Sequence, residues 1–247
     1  MITDIPNIWL LLSMLPIVAF LYASVGHGGA SGYLALMALF SLAPEIMKPT
    51  ALLLNLFVSG IAFYHYYKAG YFNKKLFLPF TITSIPFAFL GGLLEIETGL
   101  YKHILGVFLL FAVLKMLFGF SKDPSKKRTV KIIPALIFGA FIGFLSGLIG
   151  IGGGIILTPL ILLLHWGNMK EAAAVSALFI WVNSASGLAG QLIQGAELSS
   201  ISFIMVIMVV VGGFLGSYFG SKKFNFHILR YLLAFVLTIA SFKLIFN

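Results

Sequence analysis

Apolar residues run along almost the whole chain, and only short polar interruptions divide them. Reading between the interruptions gives segments near 8–24, 31–42, 49–67, 76–94, 99–119, 133–147, 152–164, 170–190, 200–219 and 227–246. Continuous hydrocarbon of this kind predicts membrane helices, because a span needs about 20 apolar residues to cross about 30 Å of lipid. Six of the ten segments are long enough to cross alone. The pairs 8–24 with 31–42 and 133–147 with 152–164 instead flank two glycine clusters, Gly26-His27-Gly28-Gly29 and Gly150-Ile151-Gly152-Gly153-Gly154. Glycine costs a helix about 1 kcal/mol per residue relative to alanine, so each cluster predicts a break inside an apolar element. The break frees backbone N–H and C=O groups that lipid cannot satisfy, and must be buried in protein or line a cavity.

The clusters lie 124 residues apart, and other pairs recur near that offset: Gly70 with Gly195, Gly91-Gly92 with Gly212-Gly213, Ser59-Gly60 with Ser186-Gly187, and His103-Ile104-Leu105 with His227-Ile228-Leu229. Matches in one order at one spacing argue for an internal duplication. We divide the chain into a first membrane repeat (1–120), a basic cytoplasmic linker (121–131) and a second membrane repeat (132–247).

Charge then selects how the broken elements cross. If each is a hairpin returning to its starting side, 13 of the 16 Lys and Arg share one face, leaving Lys48, Lys102 and Lys243 opposite; a single crossing gives 10 against 6. The positive-inside rule favours the hairpin. A hairpin plus three crossings per half makes the halves inverted. The expected fold is an all-α integral membrane protein of two inverted repeats, each a broken helical element, re-entrant or hairpin, plus three transmembrane helices.

Composition agrees with that class: 60% apolar, 9% charged, with mean hydropathy +1.08. The net charge of +9 accompanies apolar spans and reads as a topology signal, with no nucleic-acid partner. Residues 1–7 carry no Lys or Arg and so lack the basic start of a cleaved signal peptide. The absence of cysteine removes thiolate catalysis, disulfides and thiolate metal sites.

Candidate chemistry concentrates at the breaks. Half-helix N-termini at Gly26, Gly28, Gly29 and at Gly150, Gly152, Gly153, Gly154 offer N–H groups and a partial positive end, an anion site needing no buried Lys or Arg. On this view, leucine at Gly29 or Gly153 should exclude the anion. His27 is ionisable within a break, able to couple protons or donate to an anion, or simply to satisfy freed carbonyls. Ser31 lies beside it; Thr158 and Pro159 shape the second half-helix. Asn55 and Ser59 share a helical face, as do Asn183 and Gln191 near Ser186, and these polar faces suit either substrate contact or interhelical hydrogen bonds. Carboxylates fall at segment ends, and a Ser-His pair without an orienting acid is weak evidence for a hydrolase. The expectation is no enzyme, no metal and no cofactor.

The duplicated glycine motif, Gly150-Ile151-Gly152-Gly153-Gly154 followed by Thr158-Pro159-Leu160, and Ser186-Gly187 with Gly195, resembles the TauE/SafE family of sulfite exporters and related permeases. The first copy departs from the pattern at His27 and Ala30, and no proline matches Pro159. The resemblance implies secondary transport of sulfite, a sulfonate or a related small anion across a bacterial cytoplasmic membrane, without ATP-binding parts. A proton or sodium coupling ion and a homo-oligomer are both open. The alternatives are an anion channel, and a non-transporting membrane subunit or assembly factor.

Overall fold

Each glycine cluster ends one helix and starts another. The computed structural model describes residues 7–118, 128–222, 237–239 and 241–246. Among them it places α1 (Ile8–Ala23), α2 (Ala30–Leu39), α3 (Pro44–Lys68), α4 (Lys74–Gly92), α5 (Thr98–Phe118), α6 (Ile132–Ile149), α7 (Gly154–Leu163), α8 (Met169–Ile193) and α9 (Ser200–Lys222), and no strand. Much of the expected segment 227–246 and of the linker lies outside the described residues. Among the described residues α3, α4, α6, α8 and α9 are long and apolar enough to cross a bilayer. Their outward faces carry exposed Ile82, Ile133, Ile137, Ile207 and Val211, as lipid requires. Asn55, Ser59, Ser146, Ser176, Asn183 and Ser184 are buried.

The helices pack by exchange between the halves. α1 lies on α9 and α6 on α4; α3 lies on α9 and α8 on α4; α3 and α8 pack on each other at the centre. Two glycine stripes make the first of these contacts. On α6, a Cβ at Gly139, Gly143 or Gly147 would overlap the carbonyls of Phe80, Ser84 and Ala88; on α9, one at Gly212, Gly216 or Gly220 would overlap those of Pro16, Phe20 and Ser24. The residues advance together, so α1 runs parallel to α9 and α6 parallel to α4. The pairs Thr50 with Ser202, Val58 with Gly213 and His65 with Ser217 set α3 parallel to α9. Ile85 with Ser186 and Phe89 with Gly190 set α8 parallel to α4. In contrast, Asn55 meets Ser184, Gly60 meets Trp181 and Tyr66 meets Lys170, so α3 and α8 are antiparallel. Corresponding helices of the two halves therefore run in opposite directions.

The broken elements are hairpins with a short return arm. Tyr66 Oη, near the end of α3, donates to Ser24 O just past the end of α1, whereas Ala30 N–H donates to Asn55 Oδ1, eleven residues nearer the start of α3. Residues 24–29 therefore descend roughly 16 Å, to the middle of α3, and α2 returns about 15 Å to its starting face. In the second half α6 ends beside Tyr101, which donates to Ile149 O. Gly150 lies near Lys48, Gly152 near Asn55 and Ser184, and α7 then runs outward.

This geometry gathers the described cations as the hairpin arrangement expects. Lys170 Nζ donates to Gly220 O, near Lys222, and lies over the Tyr66 ring, near Lys68. Lys74 begins α4 and Lys131 precedes the parallel α6 at that same end. At the other end Lys243 Nζ donates to Leu39 O, and Lys48 lies over Tyr101, beside Lys102.

Candidate functional site

The starts of α2 and α7 meet at mid-depth, between α3 and α8. Gly29 begins α2 at φ 104° and Gly153 begins α7 at φ 79°. Both values lie in the left-handed region where a Cβ is strained. Asn55 and Ile180 occupy the same register of the two 25-residue helices and press on both breaks. A Cβ on Gly28 would lie 2.8 Å from Asn55 Cγ and 3.0 Å from Ile180 Cγ2; one on Gly152 would lie 2.9 Å from Ile180 and 3.0 Å from Ser184 Oγ.

Hydrogen bonds join the two breaks. Asn55 accepts from Ala30 N–H at 3.0 Å and donates through Nδ2 to Ser184 Oγ at 3.3 Å. It caps α2 from another helix, whereas its counterpart over α7 is the apolar Ile180. His27 Nδ1 lies 3.1 Å from Val25 O, and Nε2 lies 3.1 Å from Gly154 O and 3.2 Å from Thr158 Oγ1. Thr158 continues to Ser176 Oγ at 2.8 Å. A neutral imidazole donates from one nitrogen only, so it serves one of these carbonyls at a time; the imidazolium serves both. Tyr33 Oη donates to Gly28 O, and Tyr22 bonds Ser31, fixing the first loop.

The structure thus brings together His27, Gly28, Gly29, Asn55, Gly152, Gly153, Gly154 and Thr158, with Ser31 in the first turn of α2. It sets others apart. Ser59 donates to Asn55 O within its own helix, and Ser186 donates to Ile85 O on α4. Gly26 and Gly150 lie away from the junction, toward the starts of α8 and α3, against Ala173 and Lys48. Asn183 Nδ2 donates to Phe179 O within its own helix, and Gln191 Nε2 donates to Gly147 O on α6. The expectation that leucine at Gly29 or Gly153 would test anion access needs correction. A Cβ at Gly29 would lie 2.6 Å from the Tyr33 ring, and one at Gly153 would lie 2.7 Å from Ile142 and 2.9 Å from Phe179. Either substitution strains the fold before it meets an anion. Sequence reasoning missed Ile180, Ser184, Tyr22 and Tyr33, and left Ser176 outside the site. Only tertiary packing places them there.

Two helix N-termini converge, and among the described residues every aspartate or glutamate is at least partly exposed, so no carboxylate is buried against them. A cavity of about 290 Å³ opens at the far end of α2, lined by Ser41, Glu45, Tyr101, Lys102 and Lys243. It is one α2 length, about 15 Å, from the junction. Among the described residues no group of three His, Cys, Asp or Glu could hold a metal.

Residues 11–244 match the family model described as sulfite exporter TauE/SafE. A probable membrane transporter protein of Sinorhizobium fredii is 36% identical over 233 residues, 93% of this chain and 94% of the relative. One from Methanocaldococcus jannaschii is 29% identical over 250 residues, covering 92% and 93%. One from Bacillus subtilis is 23% identical over 227 residues, covering 83% and 82%. No solved structure matches the chain.

Proposed function

The chain belongs to the sulfite exporter TauE/SafE family, a multi-pass membrane transporter and not an enzyme, and on that premise we propose that it is a secondary transporter for a small anion such as sulfite or a sulfonate. The observation that carries this reading is the convergence of two half-helix N-termini at mid-depth, with no carboxylate among the described residues to neutralise them. Such ends attract an anion through backbone N–H groups and the partial positive charge of each helix. Lys102 and Lys243 in the outer cavity would raise the local anion concentration by steering. The two halves, 1–120 and 132–247 about the linker 121–131, form inverted repeats that rock about the junction, in a bacterial cytoplasmic membrane.

His27 bridges the halves through Gly154 and Thr158. Proton uptake there would alter that bridge, which makes His27 the proton-sensitive element of the site. Asn55 and Thr158 complete the polar lining.

Proteoliposomes with a radiolabelled anion inside and unlabelled sulfite, a sulfonate or a small carboxylate outside test the reading. A transporter exchanges its own substrate saturably. Unsaturable conductance would support a channel, and absence of any specific flux would support the subunit alternative.

A further inference from the structure

Lys68 and Lys222 stand at one depth on neighbouring helices of opposite halves. Below them His65 on α3 and Ser217 on α9 face each other, with His65 Nδ1 2.7 Å from Ser217 Oγ. Ser217 donates to Gly213 O at 2.7 Å, so it accepts from the imidazole N–H. Because α3 and α9 run parallel, Lys68 and Lys222 leave their helices about 4.5 Å and about 7.5 Å beyond that pair. They emerge within about 3 Å of the same level.

The helical turn of about 100° per residue sets their directions. Tyr64 and Lys68 lie about 100° and about 60° to one side of His65, while Tyr218 and Lys222 lie about 100° and about 140° to the other side of Ser217. On parallel helices that face each other, these opposite rotations open on the same side of the seam. Ring contacts agree: the His65 ring centre lies 5.5 Å from that of Tyr64 and 5.8 Å from that of Tyr218. Lys68 Nζ lies 4.6 Å from the centre of the Tyr64 ring, and Lys222 Nζ lies 3.9 Å from that of Tyr218 and donates to its Oη. Both ammonium groups act electrostatically on the imidazole between them.

That row is positive and unbalanced. Among the described residues Glu45, Glu95, Glu97 and Glu197 belong to the opposite end of the molecule. Glu171, at this end, accepts from Asn168 N–H at 2.9 Å and caps α8. Lys170 turns away, over Tyr66 and Tyr71, and donates to Gly220 O and Ser221 O. An exposed cation–π contact is weak, and an anion between the two ammonium groups would relieve their repulsion far better.

Apolar surface continues beneath the row. By the same helical turn Phe57 on α3 and Ile207 and Val211 on α9 fall on this side of the seam, and all three are exposed. Lysines above hydrocarbon-facing side chains, at the end that the charge bias assigns to the cytoplasm, match the order of a phospholipid, head and then acyl chain. A free anion would use the lysines alone.

We propose that Lys68 and Lys222 hold the phosphate of one anionic phospholipid of the cytoplasmic leaflet at the α3–α9 seam, its acyl chain along Phe57, Ile207 and Val211. Lys68 belongs to the first half and Lys222 to the second. The bound headgroup therefore ties the halves together at this face.

The test is thermal melting of the purified full chain, followed by tryptophan fluorescence, in micelles containing phosphatidylcholine alone, with added phosphatidylglycerol, or with added inorganic phosphate. A ligand of the folded state near 100 times its Kd should raise the midpoint by about 5–10 °C. We expect a saturable rise of that size with phosphatidylglycerol and none with inorganic phosphate. The double variant Lys68→Gln, Lys222→Gln should remove the rise; both side chains are exposed. Where the double variant fails to fold, Lys222→Gln alone should weaken the apparent affinity about fivefold. Lys75→Gln, exposed at the same face at the start of α4, should leave the rise intact. Equal midpoints with phosphatidylcholine and phosphatidylglycerol would overturn the proposal, as would a rise that persists in the lysine variants. An equal rise with inorganic phosphate would mean a free anion, and loss of the rise in Lys75→Gln would mean a diffuse charge effect; either would also overturn it. The assay needs no transported anion, so its outcome is independent of the transport reading.

Discussion

At the residue scale, Asn55 links one half-helix to the other break. It caps α2 at Ala30 and reaches Ser184. Losing a cap costs about 1 kcal/mol, and a buried donor left unpaired costs about 1–3 kcal/mol. Asn55→Leu, close in volume, should therefore lower the melting midpoint by about 5 °C and reduce anion exchange beyond its effect on folding. A midpoint equal to wild type would show that Asn55 does not hold the junction. His27 carries a different expectation. Its two ring nitrogens face Val25 O and Gly154 O, so gain of a proton changes the bonds it can make. His27→Gln keeps a polar side chain without titration and should flatten the pH dependence of exchange between about pH 5 and 8. An unchanged profile in a folded variant would confine His27 to structure. The sequence made His27 and Asn55 legible because polar residues inside apolar spans need a reason. Ile180 carried no such signal, and Ser184 stood among other polar residues of the same span; their role follows from α8 crossing α3 at their level.

At the element scale, the hydrophobic pattern located α1 to α9, among the described residues, to within a few residues, since long apolar runs tolerate few alternatives. The start of α3 fell earlier than expected, at Pro44, because proline at the first helical turn is accommodated there and Pro49 is carried inside. α8 continued to Ile193 because Gly190 is a packing position against Phe89 O and not a stop. The spacing Gly139-Gly143-Gly147 and Gly212-Gly216-Gly220 was present in the sequence but masked by its high glycine content, with 26 in the chain. Each stripe sets a helix against backbone carbonyls, the close approach on which membrane packing relies. Gly143→Val and Gly216→Val should each cost about 1–3 kcal/mol or more, through overpacking that cannot relax into backbone. Gly99→Ala, whose added Cβ meets nothing within 4 Å, is the control. Midpoints for the three variants within a degree of one another would show that the stripes do not support the exchange packing.

At the scale of the whole molecule, orientation is decided by the hairpins. Because each broken element returns to its starting face, Lys68, Lys74, Lys75, Lys131, Lys170 and Lys222 gather at one end, and Lys48, Lys102 and Lys243 at the other. The positive-inside rule then assigns the richer end to the cytoplasm. It would give a weaker bias if each broken element crossed only once, because Lys170 and Lys222 would then change sides. The chain contains no cysteine, so a single introduced thiol reports its own side. Lys75→Cys, exposed at the start of α4, should resist an impermeant thiol reagent added to intact cells and react after permeabilisation. Gly99→Cys, exposed near the start of α5 with open space around its Cβ, should react in intact cells. The reverse pattern would invert the orientation while leaving the fold intact. Labelling of both positions from one side would place the starts of α4 and α5 on the same face, and with that the opposed directions of the two halves would fail.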